Sequence, residues 1–463
     1  MKQKYIQHLY WRAGFGINVE VLHILKSKSR SSVVSNLFSL SDPIVPIQID
    51  LTELNAIKNK FPKKLITEIG QEAFQKLQQK SQSKVRDLNH CWIDRLTETN
   101  SVLREKMTLF WANIFVCRDI HIFHVQRYNN TLRKFALGDF RKFVKAICRE
   151  ASMSKYLNNR QNHKNKPNEN FARELMEFFT LGIGNYTEQD IKESARSFTG
   201  WSFKQNGDFI LRKRQHDYGE KTFFGKTGNF NGDDIIDIIL NQKQCAQFIC
   251  EKIYSYFVNP CINQKNLEEL TNIFYKNYNI KEVMMHIFNS DWFYNEQNIG
   301  VKIKSPIELL VGMRRVVPVT FNKKNQLNHI QKMMGQVLLY PDNVSGWNGD
   351  KNWIDSNTLM FRMNLASLIL NNRVINLEEK GGFEDSFDQY YNNASQPDSY
   401  MKTTINWDIF DKKYGSLSPK ELKQFLIISQ IDEDTELFLD NLEINSNRNF
   451  CIQLMSIPEY QIC

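Results

Sequence analysis

The spacing of apolar residues limits the fold of this chain more than any other feature of its sequence. Between positions 102 and 116, apolar side chains recur three and four residues apart, as on one face of an α-helix. They are Leu103, Met107, Phe110, Trp111 and Ile114. The same spacing returns in most segments before residue 371 and again after Pro419. Because 41% of the residues are hydrophobic and 12% aromatic, a large core is available. We therefore predict a mainly α, multi-helix globular fold.

One β signal interrupts the helices, near residues 201–213. Two runs that favour strands, 201–205 and 208–211, flank Asn206-Gly207. An Asn-Gly pair between such runs favours a hairpin with a type I′ turn. The glycines that follow, between positions 219 and 232, predict a loop. The fold prediction therefore includes one small β-hairpin and a Gly-rich loop after it.

The composition along the chain suggests four parts. Residues 1–100 form an N-terminal helical region, and residues 101–371 form a helical core that contains the hairpin and the Gly-rich loop. Residues 372–405 are polar and rich in Asn, which predicts a surface excursion. Residues 406–463 contain short helical patterns, which we expect to pack on the core.

The charge balance is mildly basic. The chain has 60 Lys and Arg against 51 Asp and Glu, a formal net charge of +9. The basic runs, such as 26–30 and 212–214, are short and interrupted, which favours a solvated surface. We therefore do not expect nucleic acid as a partner.

The sequence also bears on the compartment. No apolar run approaches the roughly 18 residues of a membrane span, so no transmembrane segment is expected. The first ten residues lack the apolar stretch of a signal peptide, which predicts a cytoplasmic protein. The eight cysteines contain no Cys-x-x-Cys pair, and this favours reduced, buried thiols.

The densest polar cluster lies in the predicted helix at residues 167–177. At 100° per residue, Asn170, Glu174 and Glu177 share one face, and Glu169, Arg173 and Glu177 form a row beside it. The row is consistent with ordinary surface ion pairs. Alternatively, Glu174 and Glu177 point inward as metal ligands or as an acid/base pair, with Arg173 orienting a carboxylate or holding an anion.

A second candidate lies between the hairpin and the Gly-rich loop. His216-Asp217 in such a loop is suited to metal binding or proton relay, although a hydrogen bond from the His to the backbone explains it as well. The catalytic hypothesis therefore comprises Glu174, Glu177, His216, Asp217 and Arg173. Its metal site, for a divalent ion, comprises Glu174, Glu177 and His216.

Five further residues are candidates for substrate binding. Asn129, Asn130 and Arg133 could bind a carboxylate or sugar hydroxyls, or could cap a helix. Trp347 lies in a loop that could line a pocket or pack on the core. Lys221 could meet an anionic group or lie in solvent.

The motifs in their order closely resemble a bacterial family called domain of unknown function 1800, over nearly the whole chain. The resemblance rests on residues 8–16, 104–111, 128–133, 167–175, 198–201, 216–217, 221–225, 304–306, 335–336 and 344–347. It implies a mainly helical fold. The family often reads Phe-Trp-His-Asn-His-Phe, where this chain has Ala112 and Ile114 in place of the histidines.

The resemblance also implies a partner. Members of the family are commonly encoded beside a second family, domain of unknown function 1501. That family is similar to the alkaline phosphatase and sulfatase fold and often carries a twin-arginine export signal. The implied partner is thus a phosphatase- or sulfatase-like protein, with export together with that partner as one consequence.

Two functions follow from these observations. The first is a metal-assisted enzyme, hydrolytic or oxidative, with a pocket of Glu, His and Asp side chains. The alternative is a non-catalytic partner or maturation factor of the phosphatase-like protein.

Overall fold

Helices dominate the computed structural model, which describes residues 1–371 and 402–463. The first eight are α1 (Gln3–Arg12), α2 (Val19–Lys26), α3 (Arg30–Ser41), α4 (Asn55–Asn59), α5 (Pro62–Ile69), α6 (Gln71–Glu98), α7 (Val102–Ala112) and α8 (Ile122–Phe135). The next eight are α9 (Phe140–Cys148), α10 (Ala151–Tyr156), α11 (Asn170–Glu174), α12 (Glu188–Ser197), α13 (Gly232–Leu240), α14 (Lys243–Phe257), α15 (Gln264–Asn277) and α16 (Ile280–Asn289). The others in the described ranges are α17 (Pro306–Val316), α18 (Lys324–Met333), α19 (Ser356–Leu370), α20 (Trp407–Tyr414), α21 (Pro419–Leu426), α22 (Glu433–Asp440) and α23 (Asn447–Met455).

Strands are few and short. They are β1 (Trp201–Phe203), β2 (Phe209–Leu211), β3 (Lys221–Phe223), β4 (Lys226–Gly228), β5 (Val319–Phe321) and β6 (Thr403–Ile405). They form three antiparallel pairs, β1 with β2, β3 with β4, and β5 with β6. The prediction of a mainly α fold is confirmed.

The predicted hairpin is present, but its turn is of another type. Strands β1 and β2 pair in register, with Trp201 opposite Leu211. The amide of Gly207 donates to the carbonyl of Lys204, and Gly207 has φ of 90° while Asn206 does not have a positive φ. A type I′ turn needs positive φ at both central residues, so that prediction is wrong. The turn instead spans 204–207 and places Gly207 last, in the conformation that glycine adopts most easily.

The Gly-rich segment is not only a loop. Strands β3 and β4 form a second hairpin, with Phe223 opposite Lys226. Its two turn residues, Phe224 and Gly225, have φ of 48° and 71°, so the type I′ conformation occurs here. This region therefore contains two hairpins, and the sequence predicted one. The second was missed because a Phe-Gly pair indicates a turn less strongly than Asn-Gly.

The predicted surface excursion at 372–405 lies mostly outside the described residues. Its last part contains β6, which pairs with β5 so that Thr404 stands opposite Thr320. This segment therefore returns to the core through a strand, which the polar composition did not predict. The division of the chain into four parts stays a prediction.

Most of the buried apolar side chains form one large cluster, and Trp11, Ile428 and Cys463 form a small second one. The large cluster extends from Ile6 in α1 to Tyr460 near the end of the chain. The long helix α6 packs against α8 and α17, and α14 packs along α15. This arrangement brings α7, α14 and the N-terminus of α17 close to the loop before α19, where the pocket described below is found.

Several helix starts follow from the sequence. The Asp139 carboxylate accepts from the amide of Lys142 at 2.9 Å and caps α9. Thr187 and Asp190 form a capping box at the start of α12, as the spacing of Thr and Asp three residues apart favours. The acidic helix begins at Asn170 rather than at Pro167, with the Asn168 side chain accepting from the Asn170 amide at 3.0 Å.

Two further structural findings concern membranes and thiols. No helix within residues 1–371 and 402–463 is long and apolar enough to cross a membrane. All eight cysteines are unpaired; six are buried, and Cys91 and Cys261 are exposed. Burial raises the pKa of several of these thiols, including Cys148 and Cys250.

Candidate functional site

A pocket of about 540 Å³ opens between α7, α14 and the loop that precedes α19. Five aromatic rings contribute to its wall: Phe110, Phe248, Tyr256, Trp347 and Trp353. A second cavity of similar volume, about 550 Å³, has no aromatic side chain in its wall. Because ligand pockets are typically lined by apolar and aromatic groups with a few polar ones, we take the first as the candidate site.

Asn113 holds the Trp347 loop in place. Its Oδ1 accepts from the amide of Trp347 at 2.6 Å, and its Nδ2 donates to the carbonyl of the same residue at 3.1 Å. Gly346 precedes Trp347 with φ of 85°, and a Cβ there would lie 2.4 Å from Asn113 Oδ1. The loop can therefore approach α7 this closely only with glycine at 346.

A charged group forms part of the pocket wall beside Tyr256. The ammonium group of Lys302 lies 4.0 Å from the centroid of the Tyr256 ring and 2.8 Å from Glu308 Oε1. Glu308 is fully buried and also binds the buried ammonium group of Lys106. Although burial raises the pKa of Glu308, the charges of Lys106 and Lys302 hold it well below its usual range. Lys302 is thus held in place by a carboxylate that two ammonium groups share.

More positive charge is buried behind Lys302. Arg12, Lys304 and Arg362 are each at most 1% exposed. Lys304 Nζ donates to the carbonyl of Tyr460, and its charge lies 3.8 Å from the centroids of the Trp11 and Tyr460 rings. Burial lowers the pKa of Lys304 to about 7, although the charges at Cys463 and Glu308 partly oppose this shift. Nε and Nη1 of Arg362 are buried without a hydrogen-bond partner. The surroundings of Lys302 therefore combine several buried cationic side chains with the negative charges of Glu308 and Cys463.

The other charged residues of the pocket wall have mixed sign. Lys252 lies 4.7 Å from the centroid of the Phe248 ring, and burial lowers its pKa. Glu251 and Asp350 also contribute to the wall. Glu251 and Asp350 can therefore accept hydrogen bonds from hydroxyl or amino groups, whereas Lys302 attracts negative charge.

The acidic helix lies elsewhere, and its carboxylates differ in environment. Arg173 pairs with Glu188 at 2.9 Å and with Glu169 at 3.3 Å, which are largely surface contacts. Glu177 accepts from the Tyr186 hydroxyl at 2.9 Å. Oε2 of Glu174 is buried without a partner, and burial, followed by the charge of Glu177, raises the pKa of Glu174. Glu174 and Glu177 are thus near each other, while Arg173 pairs with other acids.

A π-helical turn changes the geometry of this helix. The chain leaves the α-helix at Glu174 and forms a π-helix over Leu175–Thr180. Because a π turn holds more residues than an α turn, the 100° count used on the sequence does not apply beyond Glu174.

His216 is buried and bonds to the backbone. Its Nδ1 lies 2.7 Å from the carbonyl oxygen of Thr199. Asp217 pairs with Arg196 at 2.8 Å, and Lys221 donates to the carbonyls of Asp217 and Gly219. These contacts hold the segment against α12. They agree with the alternative interpretation, in which His216 forms a hydrogen bond with the backbone.

Asn129, Asn130 and Arg133 belong to a buried network that fixes helices. Arg133 Nε donates to Glu105 at 2.6 Å, and its Nη1 donates to the side-chain oxygens of Asn129 and Asn130. Asn130 also bonds both backbone groups of Ile47. The polar groups of these three residues are thus used in contacts within the protein, and none of the three residues lines the pocket.

The predicted metal ligands do not form a group. Within the part of the chain that the structure describes, no three His, Cys, Asp or Glu residues are placed to hold a metal ion. Glu174, Glu177 and His216 are therefore not placed as a three-residue metal site. A metal site stays a prediction that this geometry does not support.

Of the ten residues predicted from the sequence, Trp347 lies in the wall of the pocket. Sequence reasoning missed Asn113, Lys302, Glu308 and Lys252. The capping sequence Ser305-Pro306-Ile307-Glu308 was a usable local signal for the start of α17. Nothing local indicated that its Glu would be buried between two lysines.

A large helical protein with an aromatic, partly electropositive pocket is the class that these observations define. The family described as Protein of unknown function (DUF1800) matches residues 8–462, so the chain belongs to that family. Searches of curated proteins and of solved structures returned no match.

Proposed function

We propose that the protein binds a small organic anion with a flat aromatic body in the pocket beside Trp347 and Lys302. The observation that carries this proposal is the ammonium group of Lys302, which lies in an aromatic wall and is anchored by the buried Glu308. Flat rings stack favourably on aromatic side chains, and a carboxylate, sulfonate or phosphate group is attracted by the positive charge behind the wall.

The distribution of charge supports an orientation for the ligand. Lys106 and Lys302 share the carboxylate of Glu308, and a further negative charge lies nearby at Cys463. The buried cationic side chains described above outnumber these two negative charges. The anionic group would contact Lys302, and ring substituents that donate hydrogen bonds would face Glu251 and Asp350. The volume of about 540 Å³ suits a ligand of two or three rings.

A pair of fluorescent probes tests the charge requirement. Anilinonaphthalene sulfonate and the uncharged N-phenylnaphthylamine share the same rings, but only the first is an anion. We expect the sulfonate to bind at least about 10-fold more tightly, which corresponds to about 1.4 kcal/mol. Fluorescence titration of the purified full-length protein gives both dissociation constants.

Matched variants locate the binding. Lys302→Gln should remove the preference for the sulfonate, whereas Lys324→Gln, which alters an exposed lysine, should leave it unchanged. Circular dichroism must show that Lys302→Gln is folded; if it is not, Lys252→Gln serves as a second pocket variant with a smaller expected loss. Equal affinity of the two probes for the native protein would reject the proposal.

The hypotheses drawn from the sequence stay open to separate tests. Metal-assisted hydrolysis or oxidation at Glu174, Glu177 and His216 predicts stoichiometric metal in the purified protein, lowered by Glu174→Gln. A role as partner of a phosphatase- or sulfatase-like protein predicts co-purification from the native host. Ligand binding in the pocket is compatible with either role.

A further inference from the structure

Two segments that meet beside the first hairpin carry six cationic residues, which we call the basic face. This basic face consists of Arg160, Lys164, Lys166, Arg212, Lys213 and Arg214. Five of them are exposed, and Arg212 is half-buried. In the sequence they form two short runs about fifty residues apart, and only the fold joins them.

Backbone hydrogen bonds hold the two runs together. The amide of Lys164 donates to the carbonyl of Gln215 at 2.8 Å. Gly200 links the same segments, because its amide donates to Asn162 at 3.0 Å and its carbonyl accepts from Arg212 at 2.8 Å. Burial and then the charge of Arg212 lower the pKa of Arg160, so these two guanidinium groups lie close enough to repel. The basic face is thus a fixed feature of the fold.

The positive charge of this face is not neutralised by the described residues. None of the six side chains forms an ion pair with an acid in residues 1–371 or 402–463. The nearest acids in sequence have other partners: Asp208 pairs with Arg127, Asp217 with Arg196 and Glu169 with Arg173. Since the net charge of the whole chain is +9, six uncompensated cations on one face are a large part of the excess.

We infer that the basic face docks on an anionic phospholipid surface. Clusters of four to eight Lys and Arg residues are attracted by anionic headgroups. Two exposed apolar side chains flank the cations, Leu211 at 37% and Tyr218 at 54% exposed, and both suit the boundary between headgroups and acyl chains.

Single-stranded nucleic acid fits this face less well. The aromatic ring beneath Arg160 belongs to Phe203, which is 2% exposed. Single-stranded nucleic acid is usually bound by rows of exposed rings on which bases stack, and Tyr218 alone provides one here. A flat lipid surface needs no such row.

Vesicle sedimentation with the full-length protein tests this inference. We expect binding to vesicles of phosphatidylcholine mixed with phosphatidylglycerol, none to phosphatidylcholine alone, and a steep loss of binding as salt is added. The variant R212Q/K213Q/R214Q should bind the anionic vesicles about 100-fold more weakly. Circular dichroism checks that it is folded, and K164Q/K166Q is a second variant of the same face.

A control variant distinguishes an effect of the basic face from an effect of the net charge of the protein. K63Q/K64Q/K412Q removes the same net charge from exposed lysines elsewhere and should change binding less than about threefold. Equal losses in the two triple variants would overturn the inference. Tight binding to DNA without binding to anionic vesicles would also overturn it and favour nucleic acid as the partner.

Discussion

Lys304 is a buried ammonium group whose contacts are two aromatic rings and a backbone carbonyl. In the unfolded chain a lysine titrates near pH 10.4, whereas burial lowers the pKa of Lys304 to about 7 in the folded protein. Between these values the unfolded state binds more protons, so the free energy of unfolding rises with pH. Lys106, with a pKa lowered to about 8, acts in the same direction.

We therefore expect the protein to become more stable as pH rises from about 7 to about 8.5. Above that range the buried thiols, whose pKa is raised, oppose the trend. Urea denaturation at several pH values measures the slope, and Lys304→Met should flatten it. Lys412→Met, at an exposed lysine, should not. The same slope in Lys304→Met as in the native protein would show that Lys304 is charged throughout.

Gly346 controls the pocket through one close contact. In Gly346→Ala the new Cβ would meet Asn113 Oδ1 at 2.4 Å, so the Trp347 loop must move. Gly335→Ala is the matched control, because Gly335 has φ of 80° but no atom within 4 Å of the added Cβ. We expect the control to lose about 1 kcal/mol through backbone strain alone.

Gly346→Ala should lose more stability than this control and should bind the naphthalene sulfonate at least about 10-fold more weakly. Chemical denaturation and fluorescence titration give the two quantities. Unchanged probe affinity in a folded Gly346→Ala protein would mean that the Trp347 loop does not shape the binding site.

Two helices in this protein begin with the same capping sequence in different environments. Ser305-Pro306-Ile307-Glu308 starts α17, and Ser418-Pro419-Lys420-Glu421 starts α21; both form a capping box. Glu308 is buried and binds two lysines, while Glu421 is exposed. A glutamine at either position can still accept the capping hydrogen bond. Comparing Glu308→Gln with Glu421→Gln therefore measures how much the buried negative charge contributes to stability.

We expect Glu308→Gln to lower the free energy of unfolding by about 3–5 kcal/mol, because Lys106 and Lys302 lose their shared carboxylate. Glu421→Gln should have a far smaller effect, since solvent already screens that carboxylate. Urea denaturation of both variants makes the comparison. Similar losses would show that Glu308 acts mainly as a helix cap.

Local sequence patterns predicted where helices begin, but they did not predict irregular turns within or between elements. The cap at Asp139 and the capping box at Thr187 follow directly from residue type and spacing. The π-helical turn after Glu174 does not, because it has no sequence pattern comparable to a helix cap. The composition predicts a two-residue turn at Asn206-Gly207, whereas β1 ends at Phe203 and β2 begins at Phe209, so the connection is longer and its turn is of another type.

The pocket could not be predicted for a related reason. Its wall comes from Gln336 and from four segments, 109–114, 248–262, 302–305 and 345–353, whose proximity exists only in the folded chain. Trp347 was found because a Trp in a Gly-rich loop is conspicuous. The buried lysines could not be predicted in this way. Lys106 and its partner carboxylate, Glu308, are 202 positions apart in the sequence, so no local pattern indicates that the lysine is buried.

At the scale of the whole molecule, both ends of the described chain enter one core. Ile6 and Tyr460 belong to the same buried cluster, and the backbones of Lys302 and Cys463 exchange hydrogen bonds of 3.1 and 2.8 Å. The pocket wall at Lys302 thus depends on residues from the last segment of the chain. Local loss of that segment should disturb the pocket and the core together.

We therefore expect a single cooperative unfolding transition, although a chain of this length could have unfolded in parts. Far-UV circular dichroism reports the helices, and tryptophan fluorescence reports mainly buried rings such as Trp11, Trp92 and Trp111. The two urea curves should coincide, and adding the naphthalene sulfonate should shift both midpoints equally, because the ligand binds only the folded state. Separate midpoints would instead support the division of the chain into independent regions that its composition suggested.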